Sequence, residues 1–358
     1  MSIPPVAKID SAQLRLRVQA ELDTYLGSRV PRLNQIAPDL APFGAALVDL
    51  LSGGKRLRPM FCYWGWRAAG GADSPQIMQA AASLELVQAC ALIHDDVMDR
   101  SDTRRGSPTA HRRFAALHDA AGWPGPGDNF GTGAAILLGD LSLSWADEML
   151  FTSGLDQDDL LRAKPVFDEM RLEIMAGQYL DLVEQARGGG SLERALRVVQ
   201  YKSAKYTIER PLHLGAALAG APATLLLALS AFGLPLGTAF QLRDDLLGVF
   251  GDPAITGKPA GDDLREGKRT YLVALAVESA NPAQTRMIDT ALGNPNLTPD
   301  AVTELRQILI DTGAVAAVEA QISDLTAQAQ GALAAAQIDS DARMALAELA
   351  VAATTRNG

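Results

Sequence analysis

Two acidic clusters, Asp95-Asp96-Val97-Met98-Asp99 and Asp244-Asp245, each close a long apolar stretch with neither Pro nor Gly in its last turns. Carboxylates so placed are carried at the ends of buried helices. On a helix, residues four apart stand one above the other, so Asp95 and Asp99 present two carboxylates to one point. No residue between them offers an ion pair. Like charges one turn apart repel, and more strongly when partly buried. A divalent cation removes that penalty. Oxygen donors without a His/Cys cluster favour Mg²⁺, which takes one or two protein carboxylates together with substrate phosphates. The cluster therefore predicts a phosphorylated substrate.

The competing reading of Asp95–Asp99 is a solvated helix end leading into a turn. The basic residues directly C-terminal to it weigh against that: Arg100, Arg104, Arg105, Arg112 and Arg113, with Gly106 and Pro108 marking a loop. Forked guanidinium donors directly after a hard-metal site suit phosphate oxygens. A second basic group, Gly53-Gly54-Lys55-Arg56-Leu57-Arg58-Pro59, lies upstream. Glycines there let the backbone approach an anion, but the spacing of a Walker A loop is missing. A third lies in Gly251 to Gly267 and just beyond, where Lys258, Lys268 and Arg269 mix with Gly257, Gly261 and Gly267. Residues 251–269 are expected to form a mobile basic flap that closes over the site.

The 358 residues are 48% hydrophobic but only 5% aromatic, Ala- and Leu-rich, with few β-branched runs. That mix favours helix packed on helix, so the expected fold class is all-α, a single domain spanning 1–358. The net charge of −10 gives a nucleic-acid partner no general electrostatic support. Cys62 and Cys90 have neither metal-ligand nor disulfide-framework spacing, which fits a reducing cytoplasm. No secretion signal is visible at the N-terminus. Pro211 to Gly237 has the length of a membrane span, yet Pro222, Pro235 and His213 interrupt it. A pair of buried helices broken near Gly220-Ala221-Pro222 is the expectation, with no transmembrane span.

Pro and Gly divide the chain into expected helices at 11–27, 41–52, 56–69, 75–100, 134–152, 157–186, 192–219, 223–250, 270–279, 299–312, 313–335 and 340–354. Ser74-Pro75 supplies the N-cap and first residue of the fourth. Residues 1–30 form an N-terminal helical extension, and Gly122 to Gly133 an irregular loop.

GGKRLRP at 53–59, LIHDDVMD at 92–99 with SDTRRG at 101–106, FQLRDDLLGVFGD at 240–252 and GKPAGDDLREGKRT at 257–270 together closely resemble the trans-isoprenyl diphosphate synthases. YKSAKYTIERPLHLGAAL at 201–218 is similar to the short-chain synthases of actinobacteria, such as geranylgeranyl diphosphate synthase. The resemblance implies an all-α bundle around a deep central cavity, usually a homodimer. It implies an enzyme that condenses isopentenyl diphosphate with an allylic diphosphate, with three Mg²⁺ ions between the two Asp-rich helices. Asp95, Asp99 and Asp244 then match the metal ligands, with Asp96 and Asp245 in support. Arg104, Lys202, Ser203, Gln241, Lys258 and Lys268 match groups around the allylic diphosphate, of which Lys202, Gln241 and Arg104 are the catalytic candidates. Lys55, Arg58 and Arg105 match the isopentenyl diphosphate site. Two positions depart from the family: Gln88 where many members have His, and Gly248 where the second motif often has a third Asp.

Product length is read from the helix before Asp95, because positions one to three turns back lie beneath the site. Each turn advances about 5.4 Å, close to one isoprene unit. Cys90 and Ala91 are small, with Val87 and Leu84 deeper, which predicts a product beyond C15, namely C20. The rival readings are a class I terpene cyclase and a non-catalytic regulatory subunit of a heteromeric synthase. The cyclase lacks its hydroxyl ligand here, since four-residue steps from Asp244 give Gly248 and Asp252.

Overall fold

A computed structural model describes residues 10–252, 261–294 and 296–354. The architecture is all-α, as the composition implies. The first helix, α1 (Ser11–Ile36), starts where Asp10 accepts a hydrogen bond from the Gln13 backbone at 2.7 Å. Its stripe of Leu14, Val18 and Leu22 is wholly buried in the main core. The expected end at residue 27 is overrun by more than two turns, across Pro31. Packing of Val30 and Leu33 on the core offsets the backbone hydrogen bond that Pro31 forfeits.

Helices α2 (Ala41–Leu51) and α3 (Leu57–Ala68) lead into α4 (Pro75–Met98), which begins at the expected Ser74 cap. Buried residues surround α4 on nearly every face, so it is the central helix and delivers its acidic end to the interior. A two-stranded hairpin, β1 (Thr103–Arg104) with β2 (Ser107–Pro108), was not foreseen. Nor was α5 (Ala110–Ala120). The following α6 (Gly127–Phe151) starts inside the stretch expected to be loop, because its first turn lies against α5, where the Gly127 and Gly131 positions leave no room for a Cβ. α7 (Gln157–Arg187) matches its expected limits to within a residue.

Residues 192–218 form one rod in three parts: α8 (Leu192–Val198), a widened π-helical segment (Val199–Glu209) and α9 (Arg210–Leu218). The widening lies where the rod meets α7: a Cβ at Gly177 would collide with the Lys202 backbone. Such i→i+5 segments recur at functional sites. The chain turns at 219–222, with Gly220 at φ 75°, and enters α10 (Ala223–Phe250). The break near Gly220-Ala221-Pro222 is thus present. By length and composition both α4 and α10 would suffice to cross a membrane. Both end at the acidic clusters.

Beyond residue 260 come α11 (Asp262–Glu266), α12 (Tyr271–Ser279), α13 (Pro282–Ala291), α14 (Pro299–Asp311), α15 (Ala314–Ala335) and α16 (Ser340–Thr354). The short α11 and α13 were not anticipated; α13 is opened by an Asn281/Gln284 capping box. Helix α10 joins two apolar clusters: Leu229, Phe232 and Leu236 belong to the main core, and Leu242, Leu246 and Val249 to one built with residues 264–325.

Candidate active site

The ends of α4 and α10 face a cavity of about 1070 Å³ between them. Asp95, Asp244 and Asp245 line it, as do Lys55, Arg58, Gln88, Arg104, Arg105, Lys202, Ser203, Gln241 and Lys268. The four sequence motifs thus converge on one space. Lys258 and the middle of the expected flap lie outside the described residues.

Two lysines organise the acidic end. Lys202 Nζ lies 3.1 Å from Asp95 Oδ1 and 2.6 Å from Asp181 Oδ2. Lys268 Nζ lies 3.0 Å from Asp99 Oδ2 and 2.9 Å from Glu266 Oε2, with Asp263 Oδ1 at 3.9 Å. Burial pushes the Asp95 carboxyl up, but Lys202, Lys268 and Arg104 together outweigh it and hold Asp95 well below the usual carboxylate range. Asp99 goes the other way: burial, with Asp95 and Glu266 as like charges, raises it to about 6 despite Lys268. Burial also raises Asp245 to about 7, aided by Asp263 and Asp244. Both lysines are desolvated, yet their carboxylate neighbours keep them firmly charged.

Asp96 and Asp99 do not line the cavity. Asp96 is buried and takes Arg104 Nε on both oxygens, at 2.8 and 2.9 Å, so it orients Arg104. Asp99 reaches the cavity through Lys268. Asp245 accepts from Gln241 at 2.8 Å, and its second oxygen is buried without a hydrogen-bond partner.

The basic side is built from strained loops. Among the described residues, those with positive φ other than glycine are all arginines: Arg56 (53°), Arg100 (55°) and Arg105 (54°). Left-handed backbone at such residues persists only where surroundings impose it, commonly at binding sites. Arg56 is turned inward to Glu85 and the Leu51 carbonyl, which anchors the 53–58 loop. Arg58 stacks on the Tyr206 ring at 4.2 Å and donates to Thr207 at 2.8 Å. Burial, together with Arg104, Arg56 and Arg58, pulls the Arg105 pKa down despite Glu85. Cations crowded at a half-open cavity make a site for an anion.

A model of the polyprenyl synthetase family matches residues 42–309. The chain belongs to this family. It is 35% identical to the geranylfarnesyl diphosphate synthase of Aeropyrum pernix over 284 residues, covering 78% of this chain and 82% of that one. It is likewise 35% identical to the (2E,6E)-farnesyl diphosphate synthase of Mycobacterium tuberculosis over 270 residues, covering 72% and 70%. A solved geranylgeranyl pyrophosphate synthase of Corynebacterium glutamicum, complexed with isoprenyl diphosphate and magnesium, superposes with a TM-score of 0.94 at 42% identity, covering 98% of this chain and all of that one. The three names carry three different prenyl lengths.

In this polyprenyl synthetase the donors fit a hard divalent ion. They are carboxylate oxygens, several desolvated, with Asp99 Oδ1 and Asp245 Oδ2 buried and without a hydrogen-bond partner. Among the described residues no three His, Cys, Asp or Glu side chains converge tightly enough to hold a metal unaided. Mg²⁺ completes its shell with waters and substrate phosphates, so it needs only one or two protein carboxylates. Asp95 and Asp244 would hold it across the cavity.

Sequence reasoning missed several members of the site. Gln178 donates to Asp95 at 3.1 Å, and Asp181 holds Lys202. Their signal was present: an amide and an acid three apart on α7, directly after Gly177. Tyr206, buried with its hydroxyl unpartnered, and Asp263 were also missed. Of the four chain-length candidates, Cys90, Ala91 and Val87 line the cavity, whereas Leu84 does not. Leu84 is wholly buried in the core, about two turns below Ala91 on α4.

Proposed function

We propose that this polyprenyl synthetase is a Mg²⁺-dependent geranylgeranyl diphosphate synthase, acting as a homodimer, that adds isopentenyl diphosphate to allylic diphosphates until the chain reaches C20. The observation that carries the product length is the pair Cys90 and Ala91 on the cavity wall one turn beneath Asp95, where no aromatic ring stops the tail.

Chain growth begins when the allylic carbon–oxygen bond breaks, placing charge on the departing pyrophosphate and leaving an allylic cation. Lys202, Lys268 and Arg104 face the space where that pyrophosphate departs, fixed beforehand by Asp95, Asp181, Asp99 and Asp96, so they stabilise the developing charge without reorganising. Bound Mg²⁺ supplies further neutralisation of the leaving group. Ser203 and Gln241 offer neutral dipoles to the cation, and the apolar walls keep out water that would trap it. Lys55, Arg58, Arg105 and Gln88 hold isopentenyl diphosphate with its double bond toward the cation. Attack forms the new carbon–carbon bond, and a proton passes to the released pyrophosphate.

The dimer reading rests on α6 and α7, which expose Ile136, Leu137, Leu161, Leu172 and Met175. Large apolar side chains exposed along two helices are the kind of surface that a partner subunit covers.

The test is incubation of the purified protein with Mg²⁺, isopentenyl diphosphate and, separately, dimethylallyl, geranyl or farnesyl diphosphate, with chromatography of the dephosphorylated products. Linear C20 alcohol is expected. A dominant C15 or C25 alcohol would overturn the length, and a cyclic hydrocarbon from one diphosphate alone would overturn prenyl transfer.

A further inference from the structure

We propose that Arg171, bolted to Asp147 across the foot of the cavity, sets the maximum product length. The inference rests on the prenyl-transfer reading above. Arg171 lines the cavity on α7, seven residues before Gln178, which is hydrogen-bonded to Asp95. Its Cα is therefore about 10.5 Å below the metal end. Helical side chains lean toward the N-terminus, which on α7 is downward, so the guanidinium lies deeper still.

Helix α6 gives an independent measure. It runs antiparallel to α4, since His94 Nε2 meets the Ile136 carbonyl at 3.0 Å and Gln79 donates to the Met149 carbonyl at 3.0 Å. Asp147 is eleven residues along α6 from Ile136, about 16 Å and three turns beneath His94. Leu143, one turn above Asp147, lines the cavity. Helix α7 thus places the Arg171 Cα about two turns, and α6 the Asp147 end of the bolt about three turns, below the metal end, a depth of about two to three isoprene units.

The guanidinium is held on three sides. Nη1 donates to Asp147 Oδ2 at 2.6 Å, Nη2 to Asp168 Oδ1 at 2.5 Å, and its plane lies 4.4 Å from the centre of the buried Phe167 ring. A bidentate, stacked arginine resists displacement more than a lysine would. A C15 tail fills the space above it, and one addition gives C20. When that product returns to the allylic position, its fourth unit must press hydrocarbon onto the charged Arg171 guanidinium or push it off the carboxylates that hold it. Release is the easier course. The stop is thus electrostatic as well as steric, and it lies on α6 and α7 instead of α4.

The experiment compares products of the wild type, Arg171→Ala, Arg171→Leu and Asp147→Asn, each with Mg²⁺, isopentenyl diphosphate and farnesyl diphosphate, after checking that the helical signal and melting temperature are retained. The two Arg171 variants are expected to raise the ratio of C25 and longer alcohols to C20 by about tenfold. Asp147→Asn, which keeps the volume and weakens the bond, is expected to raise it less. If the wild type elongates and every folded variant gives the wild-type ratio, the inference fails while prenyl transfer stands. If the wild type does not elongate, both readings fail. Should the Arg171 variants not fold, an unchanged ratio in Asp147→Asn alone overturns the proposal.

Discussion

The carboxylate of Asp263 occupies the space that a side chain at Gly248 would need: a Cβ there would fall inside its oxygens. Gly248 is the position where the family's second motif often carries a third Asp. In this chain an acid still stands at that spot, delivered by α11 instead of α10, with Lys268 3.9 Å away. Gly248→Ala should therefore act through Asp263, displacing it and lowering kcat/KM by about tenfold or more. Asp263→Ala should be similarly impaired, and Gly248→Asp combined with Asp263→Ala should recover much of the loss. A double-mutant cycle of kcat/KM against Mg²⁺ concentration measures the coupling. Additive effects would mean that the two positions do not share one role.

The pH dependence of stability has a definite sign. Asp245 and Asp99 ordinarily titrate near 3.8, but burial raises them to about 7 and about 6 in the folded protein. Between about pH 4 and pH 7 the folded state thus binds more protons than the unfolded one, and stability falls as pH rises through that window. At about 1.4 kcal/mol per unit, the loss is on the order of a few kcal/mol. On the proposed function, Mg²⁺ with inorganic pyrophosphate should bind the ionised carboxylates and offset it. The rise in Tm on adding both should be larger at about pH 7.5 than at about pH 5.5. An equal or reversed difference, read by differential scanning calorimetry, would refute this account.

Whatever repeats with helical period or depends on charge was legible in the sequence. The limits of α4, α7 and α10 could be read because Ser74, Pro222 and Gly188 punctuate them and because apolar runs fill them. Helices α5 and α13 could not, since they are short and polar and owe their order to neighbours. The metal-side acids were legible from spacing, but their orientations were not. Whether Asp96 faces substrate or Arg104 depends on the hairpin at 103–108, a tertiary feature. Asp181 follows Gly177 and Asp263 sits inside the 257–270 motif, but which acid of each stretch reaches the site is decided only by the approach of α7 and α11.

The contrast between Ala91 and Leu84 yields a paired prediction. Ala91 borders the cavity, so Ala91→Phe should put a ring in the path of the tail and shift product toward C15. Leu84 is buried against the core instead, so Leu84→Ala should cost about 2–5 kcal/mol of stability and leave product length alone. Urea unfolding and product chromatography on both proteins separate the effects. A longer product from Leu84→Ala would return that residue to the floor.

Removal of the Lys202 charge tests how the leaving group is stabilised. Its ammonium bridges Asp95 on α4 and Asp181 on α7, and Lys202→Gln leaves both acids without it. A preorganised charge at a departing anion is worth on the order of 10²–10³ in rate. The variant should lose about that much in kcat for farnesyl diphosphate, with a smaller change in the KM for isopentenyl diphosphate, for which Lys55, Arg58 and Arg105 are the proposed holders. Equal effects on both substrates would assign Lys202 to the general architecture of the cavity.

The exposed face of α6 and α7 should hold two copies of the chain together. Leu137 and Leu172 are each 62% exposed, although neighbours on the same helices are core residues. Hydrophobic burial is worth about 25 cal/mol per Å², so two such leucines on each of two copies contribute several kcal/mol to association. One carboxylate in each place should abolish that gain and add like-charge repulsion across a symmetric contact. Leu137→Glu/Leu172→Glu should sediment at half the wild-type mass. Because Met175 and Arg171 share this part of α7 with the cavity, the monomer should also release a broader range of product lengths. A wild-type protein that sediments as a monomer would remove the interface, and a charged variant that remains dimeric would place it elsewhere.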